Sequence, residues 1–333
     1  MRAAVITKYN ANWEMQTLPD PRPAAGQVVI KIHACGLCGT DLHVHHGAFG
    51  LPLPLVAGHE PVGEIVELGA GVVDLRVGDR VGVCWNQKGC GRCHMCQSGD
   101  QPHCAQAQSW MQIGGGNSEL MLAWASGCAL LPEGISYEAA APVFCAGYTV
   151  MSGLRNATPK PGERVAVLGL GGLGHLALQF SRAVGLETWA ITGQANKVAE
   201  LKAMGANEVI VGGAEPGKAM LDAGGFDIVL STTNACKQVS SAFTGLRLNG
   251  RLVSMGITTD GPIAIDSMAM LMSQRQLRGS SQDERSDLSE ALELVASGKV
   301  KPMIETYPIG KINEVRERLA QGKVRYRAVL THG

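Results

Sequence analysis

The sequence predicts an α/β fold in two parts, a β-rich first half and a doubly wound parallel sheet in the second. The chain has 43 glycines and 5 % aromatic residues, which favours tight turns and close backbone approaches over a helical bundle. Branched apolar runs dominate the first half, and strand-like and helix-like segments alternate after Pro161-Gly162. With 333 residues and 45 % hydrophobic content, the chain is long enough for two domains.

The strands predicted in the first half are apolar runs bounded by glycine or proline. QVVIKIHACG and EPVGEIVELG are predicted as strands because β-branched residues recur between turn-forming residues. DLRVGDRVGV is predicted as a strand entered from a turn. The sequence shows no internal repeat and no low-complexity segment.

In the second half, predicted strands alternate with predicted helices. The strands are RVAVLG, ETWAIT, EVIVG, FDIVLSTT and RLVSMG. The helices are HLALQFSRAVG, NKVAELKAMG and the segment 239–246. This succession is typical of a parallel, doubly wound sheet.

Charge and hydropathy exclude several classes of partner. The chain has 29 Lys and Arg and 29 Asp and Glu, so its formal net charge is zero, and no basic stripe indicates a nucleic-acid partner. No stretch of about 20 residues is apolar enough to predict a membrane span, and MRAAVITKYN lacks the apolar segment of a signal peptide. Ten cysteines in such a chain are expected as thiols or metal ligands, which predicts a cytoplasmic location.

Four cysteines in KGCGRCHMCQSGDQPHC predict a structural metal site. Two residues separate each of the first three, and seven precede the last. Thiolates are the preferred ligands of tetrahedral structural zinc, and CxxC steps bring neighbouring sulfurs within reach of one ion. A disulfide-rich loop is the alternative, and it does not suit a large reduced protein. The predicted ligands are Cys90, Cys93, Cys96 and Cys104.

A glycine-rich turn follows the first strand of the second half. In VLGLGGLGHLALQ the order GxGxxG falls between a predicted strand and a predicted helix. Such a turn brings the backbone close to a pyrophosphate, and the helix N-terminus offers free N–H groups to it. The context therefore predicts a dinucleotide site, with contacts from Gly169, Gly171, Gly172, Leu173 and Gly174.

The end of the next strand bears on which dinucleotide binds. An NAD site usually has Asp or Glu there to grip the ribose hydroxyls, but the chain reads Thr192-Gly193-Gln194-Ala195-Asn196-Lys197. Without a carboxylate a 2′-phosphate is not repelled, and Lys197 can pair with it, so NADP(H) is slightly favoured. The alternative is that Lys197 is a solvated helix residue, while Thr192 and Gln194 bind an NAD ribose.

A second set of candidate ligands lies in the first half. Cys38 stands in CGLCGTDLH, His59 and Glu60 in AGHEPVGE, and Cys145 in APVFCAGYTV. Each alone is as consistent with a buried thiol or a structural histidine. Together they offer two thiolates and an imidazole, a set suited to a catalytic zinc with an open fourth position.

Taken in order, these segments resemble the zinc-dependent alcohol dehydrogenases of the medium-chain dehydrogenase/reductase superfamily over essentially the whole chain. The resemblance implies a GroES-like catalytic domain from residues 1–152 and 286–333, with the zinc lobe at about 84–105. It implies a Rossmann domain at 153–285. It also implies two zinc ions per chain, an NAD(P) cofactor, a small alcohol or aldehyde substrate, and a homo-oligomer, either tetramer or dimer.

The resemblance also implies roles for individual residues. Cys38, His59 and Cys145 match the catalytic zinc ligands, and Glu60 matches a carboxylate that approaches the metal during ligand exchange. Asp41 matches an acid that orients the ligand histidine. The other matches are Thr40, which bonds the substrate oxygen, His43, which ends a proton relay through the nicotinamide ribose, and Arg327, which faces the cofactor pyrophosphate.

The implied reaction is reversible hydride transfer between a primary or secondary alcohol and NAD(P). Alternatives within the superfamily are cinnamyl-type, polyol and hydroxyketone dehydrogenases or an aldehyde reductase. A zinc-free quinone or enoyl reductase is disfavoured because all three catalytic ligands are present. A non-catalytic scaffold that binds NADPH or zinc is disfavoured by the relay pair Thr40 and His43.

Some residues depart from the family pattern or keep two interpretations. Gly39 stands where many relatives have a His or Arg that touches the pyrophosphate. His45 and His46 fit either a cleft lining or surface and packing roles. An apolar cleft wall and simple core packing are equally consistent with three aromatic residues, Phe49, Trp85 and Trp110. The wall, together with the short loop GAFGLPLP, leads to the hypothesis of a medium-sized primary alcohol or an aromatic aldehyde as substrate.

Overall fold

The structure is a computed structural model and describes residues 1–258 and 260–332. Its strands in chain order are β1 Arg2–Ile6, β2 Glu14–Thr17, β3 Gln27–Leu37, β4 Leu55–Val56, β5 Glu60–Leu68, β6 Arg80–Val83, β7 Asn86–Lys88, β8 Gln108–Ser109, β9 Leu120–Trp124, β10 Cys128–Leu130, β11 Arg164–Leu168, β12 Glu187–Thr192, β13 Glu208–Val211, β14 Phe226–Ser231, β15 Leu246–Ser254, β16 Gln276–Gly279, β17 Ile304–Pro308 and β18 Arg327–Thr331.

The α-helices are α1 Gly39–His45, α2 His94–Gln97, α3 Trp110–Ile113, α4 Tyr137–Ala140, α5 Ala146–Asn156, α6 Gly174–Ala183, α7 Val198–Ala203, α8 Gly217–Asp222, α9 Cys236–Thr244, α10 Ser267–Ser273, α11 Arg285–Ala296 and α12 Ile312–Ala320. Within the described residues, none of these helices is both long and apolar enough to cross a membrane.

The first of two compact units contains residues 1–145 and 302–333. Its main sheet has the strand order β10-β6-β5-β3-β18-β17, and β9 also pairs with β3. Strand β18, from the second chain segment, is antiparallel to β3 and parallel to β17. Along β3, Val28, Ile30 and Ile32 alternate into the core, as expected for a strand with one covered face.

The second unit contains residues 146–301 and is built on a six-stranded parallel sheet. The strand order is β13-β12-β11-β14-β15-β16, so the chain winds outward in both directions from β11. The carboxyl ends of β11 and β14 meet where the winding direction reverses, which is where ligands bind in open sheets of this type. Phe226, Val229 and Leu252 belong to the core of the unit. The predicted fold class is confirmed.

The unit boundaries fall elsewhere than those predicted at 152/153 and 285/286. Helices α5 and α11 both lie in the second unit, whereas the predicted boundaries assign most of their residues to the first. Two hydrogen bonds join α5 to α11 and to the residues just before it: Ser152 Oγ donates to Asp287 Oδ2 at 2.8 Å, and Tyr148 Oη donates to the Asp283 carbonyl at 2.7 Å. These contacts hold α5 and α11 together beside the parallel sheet.

Candidate metal centres and active site

The first candidate metal centre is the lobe flanked by β7 and β8. The sulfurs of Cys90, Cys93, Cys96 and Cys104 all lie within 4.8 Å of one another, and Cys90 and Cys96 are 4.0 Å apart. With Zn–S bonds of about 2.3 Å, neighbouring sulfurs in a tetrahedron are about 3.8 Å apart. Donor set and spacing therefore fit a four-thiolate zinc site.

Backbone amides prepare two of these thiols for metal binding. Hydrogen bonds from the Arg92 and Cys93 amides lower the pKa of Cys90 to about 6. Hydrogen bonds from the Cys90 and Gln106 amides also lower the pKa of Cys104. Desolvation instead raises the pKa of Cys96 to about 11. Since thiolate is the ligand form, the fold supplies two ligands that ionise readily, and a bound ion favours ionisation of the others.

The second candidate centre is buried where β3 ends and β5 begins, in the interior of the main sheet of the first unit. Ligand atoms of Cys38, His59, Glu60 and Cys145 lie within 4.8 Å of one another. His59 Nε2 is 3.2 Å and Cys145 Sγ 4.0 Å from Cys38 Sγ. Tetrahedral zinc with Zn–N of about 2.0 Å and Zn–S of about 2.3 Å places its ligands at similar separations. The residues therefore fit a zinc held by two thiolates and an imidazole.

Sheet register explains how ligands far apart in sequence meet. Strands β3 and β5 are antiparallel, with Gly36 opposite Glu60, so Cys38 just past one strand lies beside His59 just before the other. Cys145 follows a 3-10 turn, Ala141–Phe144, that contains Pro142. The fold thus assembles the site from three chain segments.

The protonation of this set follows from its contacts. The hydrogen bond between Cys38 and Cys145 lowers the pKa of Cys38 well below its usual value. The same bond raises the pKa of Cys145 well above its usual value. Burial alone would lower the pKa of His59, but the adjacent Cys38 thiolate and Asp41 carboxylate raise it well above its usual value. The negative charge collected in the site therefore favours a cation.

Asp41 lies behind the histidine. It is fully buried, its Oδ1 is 3.6 Å from His59 Nδ1, and its Oδ2 accepts a hydrogen bond of 2.9 Å from the Cys38 amide. Because Nδ1 faces this carboxylate, the other ring nitrogen, Nε2, faces the sulfurs. Asp41 thus lies against the ring nitrogen that faces away from the sulfurs, and its role in orienting the histidine stays a prediction.

Glu60 has a buried partner that the sequence interpretation did not assign to it. The Arg327 guanidinium donates to Glu60 Oε1, and both residues are at most 2 % exposed. Burial raises the pKa of Glu60 to about 7 against the opposing effect of Arg327. A Cβ at Gly36 would lie 1.8 Å from Glu60 Oε2, so a larger residue there would displace the Glu60 side chain from this position. The contact of Arg327 with a cofactor pyrophosphate stays a prediction.

The two predicted relay residues lie on the short helix α1. Cys38 caps this helix, and its Sγ accepts a hydrogen bond of 3.3 Å from the Thr40 amide. Thr40 and His43 are half-buried and three residues apart, so they share one helix face. The structure thus places the relay pair beside a metal ligand, and their catalytic roles stay predictions.

Three aromatic residues form a cluster on the imidazole of His59. The ring centroid of Trp85 is 5.2 Å and that of Trp110 6.2 Å from His59, and the two indoles are 5.4 Å apart. Phe49 reaches Trp85 at 6.4 Å and is 39 % exposed, while Trp110 is fully buried. The cluster is thus both core packing, at Trp110, and an accessible apolar wall, at Phe49.

In the second unit, the glycine-rich turn runs from β11 into α6. Gly169 has a φ of 89°, a left-handed conformation that favours glycine, and a Cβ at Gly174 would lie 1.8 Å from the Gly169 carbonyl oxygen. Gly171 is exposed, and Gly172 and Leu173 are half-buried. The turn has the shape expected for a dinucleotide site at the helix N-terminus.

The strand end beside this turn is β12, which finishes at Thr192. Thr192 is 8 % exposed, and its Oγ1 accepts a hydrogen bond of 3.1 Å from the Gln194 amide. Lys197 is half-buried at the end of a 3-10 turn, Ala195–Lys197. Between Thr192 and Lys197 there is no acidic residue.

Two further residues of uncertain role are now placed. His45 is buried, and its Nδ1 lies 3.2 Å from Trp13 Nε1 and 3.0 Å from an Arg316 nitrogen. His46 is exposed, with Nδ1 2.6 Å from Asn10 Oδ1. His45 thus packs inside the first unit, and His46 lies at the surface. No sequence signal indicates the contact between His45 and Arg316, because 271 positions separate them.

Comparison with known proteins agrees with this geometry. Residues 24–133 match the family described as alcohol dehydrogenase GroES-like domain, and residues 172–297 match the zinc-binding dehydrogenase family. An alcohol dehydrogenase of Geobacillus stearothermophilus is 38 % identical over 99 % of this chain and 98 % of its own. The chain therefore belongs to the zinc-type alcohol dehydrogenase family, whose members are oxidoreductases.

Two solved structures resemble the whole chain. A cinnamyl alcohol dehydrogenase from Sorghum bicolor has a TM-score of 0.89 at 28 % identity, over 99 % of this chain and 97 % of its own. Acetophenone reductase from Geotrichum candidum, in complex with NAD, has a TM-score of 0.87 at 26 % identity, over 99 % and 97 %. The family and the two cysteine sites support zinc and a nicotinamide cofactor for this chain.

Proposed function

We propose that this protein is a zinc- and NAD(P)-dependent alcohol dehydrogenase that interconverts a small alcohol and its aldehyde or ketone. The observation that carries the proposal is the convergence of Cys38, His59 and Cys145 within 4.8 Å of one another, beside a helix with Thr40 and His43. The first three of these side chains would hold a zinc ion, which would supply Lewis acidity that favours ionisation of an alcohol and, in the reverse direction, polarises a carbonyl.

The residues of the chain have distinct tasks in this proposal. Cys38 and Cys145 bind the metal as thiolates, and Asp41 holds the His59 ring with Nε2 toward the sulfurs. The Thr40 hydroxyl accepts the proton of the substrate alcohol and passes on its own, and His43 is the terminal proton acceptor. The glycine-rich turn between β11 and α6 would hold a nicotinamide dinucleotide, which would supply the hydride acceptor in oxidation and the hydride donor in reduction.

The experiment is a set of initial rates for benzaldehyde and butanal reduction with NADH and NADPH, on protein of known zinc content. Two zinc ions per chain and turnover of either aldehyde are expected. One zinc ion and no turnover would show that Cys38, His59 and Cys145 hold no working metal, and a non-catalytic scaffold would then be favoured.

For the cofactor, we propose a preference for NADP(H). Its support is the missing carboxylate after β12, together with the position of Lys197 in the next turn. The test is Gly193→Asp, which introduces a carboxylate that repels a 2′-phosphate. A Cβ at Gly193 would lie 4.0 Å from the Gly213 Cα, which is an ordinary van der Waals contact, so the added Cβ meets no clash. The ratio of kcat/KM for NADPH to that for NADH should fall at least about tenfold, and an unchanged ratio would place the 2′-site elsewhere.

For the substrate, we propose a medium-sized primary alcohol or an aromatic aldehyde. The aromatic cluster beside His59 supports it, because Trp85 and Phe49 offer apolar ring surface next to the metal ligand. The two similar structures carry names that refer to aromatic substrates. Polyol and hydroxyketone dehydrogenase activity is the alternative, and comparable turnover of polyols without turnover of primary alcohols would replace the proposal.

For assembly, we propose a homo-oligomer formed through the second unit. Strand β16 is an edge of the six-stranded sheet, and α10 before it exposes apolar side chains, including Leu271 and Met272 at 70 % each. A free edge beside an apolar surface is a site for pairing with a second copy. Leu271→Glu should shift the molar mass in solution toward the monomer.

The thiol ligands also suit a reducing compartment, so we propose a cytoplasmic location.

A further inference from the structure

A buried polar cluster joins three elements of the first unit: loop 9–13, the C-terminal end of α1, and α12. Its three main side chains are Trp13, His45 and Arg316, which are 2 %, 8 % and 6 % exposed. We refer to these three residues as the His45 clamp. None of them belongs to the candidate metal centres described above.

The hydrogen bonds of the clamp converge on one ring nitrogen. His45 Nδ1 accepts from Trp13 Nε1 at 3.2 Å and from Arg316 Nη1 at 3.0 Å. Arg316 also donates to the Ala11 carbonyl at 3.3 Å and to Asn12 Oδ1 at 3.1 Å. Two reciprocal bonds of 2.9 Å join the Trp13 backbone to the Asn313 side chain. The clamp therefore ties loop 9–13 to both helices.

The clamp contains a buried positive charge whose hydrogen bonds go to neutral acceptors. Arg316 is buried, and in the described parts of the chain its ion-pair partner is Glu317, 3.9 Å away and 62 % exposed. A buried guanidinium costs several kcal/mol unless its donors are satisfied, and here neutral acceptors satisfy them. Since both neighbours donate to Nδ1, His45 is neutral, and burial and Arg316 lower its pKa to about 4.

The clamp lies at the opposite end of α1 from the metal ligand. Cys38 caps the start of the helix, and His45 is its last residue. The Asn10 amide also donates to the His45 carbonyl at 3.0 Å. A helix of seven residues is not stable by itself, so contacts at its two ends determine where Thr40 and His43 point.

We propose that His45 is a positioning residue for the dehydrogenase reaction. Together with Trp13 and Arg316 it fixes the C-terminal end of α1, and thereby holds Thr40 and His43 in the geometry that proton transfer requires. The proposal rests on the proposed function for its kinetic consequence, because a displacement of about 1 Å in a catalytic group can cost a hundredfold in rate.

The main experiment compares His45→Leu with His45→Asn on zinc-loaded protein. Asparagine Oδ1 occupies nearly the position of histidine Nδ1 and keeps the acceptor, whereas leucine keeps volume and loses it. His45→Leu should lower kcat for benzyl alcohol oxidation at least about fivefold, with zinc content and KM for the cofactor unchanged. His45→Asn keeps the acceptor, so its kcat should stay within about twofold of the wild-type value.

Two donor variants have matched controls within the same unit. Trp13→Phe and Arg316→Met remove the donors and should lower kcat as His45→Leu does. Trp124→Phe and Arg318→Met make the same changes away from α1, where the partners are Gln108 and Glu305, and should leave kcat unchanged. In the double variant of Trp13→Phe and His45→Leu, the fold decrease in kcat should be smaller than the product of the two single decreases. The reason is that both substitutions remove the same hydrogen bond.

Amide hydrogen exchange of residues 39–46 separates this proposal from the proposed function. His45→Leu should speed exchange in this segment and His45→Asn should not, whether or not the protein turns over an alcohol. Absence of turnover in the wild type would overturn the proposed function alone. Unchanged exchange in His45→Leu, or a lower melting temperature with unchanged kcat, would overturn the positioning role.

Discussion

The two metal centres differ in how the chain builds them. The lobe takes its four thiols from a single stretch, Cys90–Cys104, and three of them are partly exposed. The second centre joins ligands 21 and 107 positions from Cys38, and buried charges at Asp41 and Glu60 surround it. A local centre needs little from the rest of the fold, whereas the assembled one depends on sheet register and on residues behind its ligands.

The first prediction is that Cys38→Ser abolishes turnover and leaves a folded protein with one zinc ion per chain. Serine is a poor zinc ligand, so kcat should fall at least about a thousandfold, while the melting temperature changes little. The matched control is Cys128→Ser, which alters a half-buried thiol of the same unit outside both centres. Full activity of Cys38→Ser would contradict the assignment of the catalytic site.

The second prediction is that Cys96→Ser lowers thermal stability before it lowers activity per folded molecule. The lobe is a chain segment with little buried apolar surface, so the metal supplies much of its folding free energy. We expect the melting temperature to fall by roughly 5 °C or more, measured by differential scanning calorimetry. If Cys96→Ser lost turnover and Cys38→Ser lost stability, the two centres would have to exchange roles.

The third prediction concerns the carboxylate behind His59. Asp41→Asn keeps an oxygen for the Cys38 amide but removes the charge next to the imidazole, so zinc affinity or activity should fall by about 10- to 100-fold. Competition with a coloured chelator measures the affinity. Zinc in the lobe should be retained as in the wild type, and equal loss from both centres would mean that Asp41 acts on the whole unit.

The fourth prediction uses the low pKa of His45, about 4, against about 6.5 in the unfolded chain. As pH falls below 6.5 the unfolded state takes up the proton first, so this contribution to stability is complete above pH 6.5 and is lost progressively toward pH 4. Arg316 on α12 and His46, which follows the last residue of α1, are the charged or titratable groups that act on His45.

His45→Asn removes this titration, so between pH 7 and pH 4.5 the wild type should lose on the order of 2 kcal/mol more stability than the variant. Melting temperatures at the two pH values measure the difference, and loss of zinc at low pH affects both proteins. Parallel curves would show that His45 titrates normally in the folded protein.

Local patterns made much of the fold predictable. Strands β11 to β15 and helices α6, α7 and α9 follow hydrophobic periodicity, whereas α8 is not predicted, and the CxxC steps alone indicate the lobe. The second centre required the family resemblance, because spacing does not show that Cys38 and Cys145 meet. The pairing of Glu60 with Arg327 and the His45 clamp join positions 267 and 271 apart, and no short-range pattern records such contacts.

The place of β18 in the main sheet of the first unit has a consequence for synthesis. A ribosome makes residues 1–145 first and then the entire second unit, and only afterwards Arg327–Thr331, the strand that lies between β3 and β17. Until that strand arrives, the side of β3 that faces away from β5 has no partner at Ala34–Leu37, beyond the part that β9 covers, and Glu60 lacks its counter-ion. The nascent first unit must therefore wait for the final segment of the chain, whereas the second unit is complete in sequence beforehand and is free to fold.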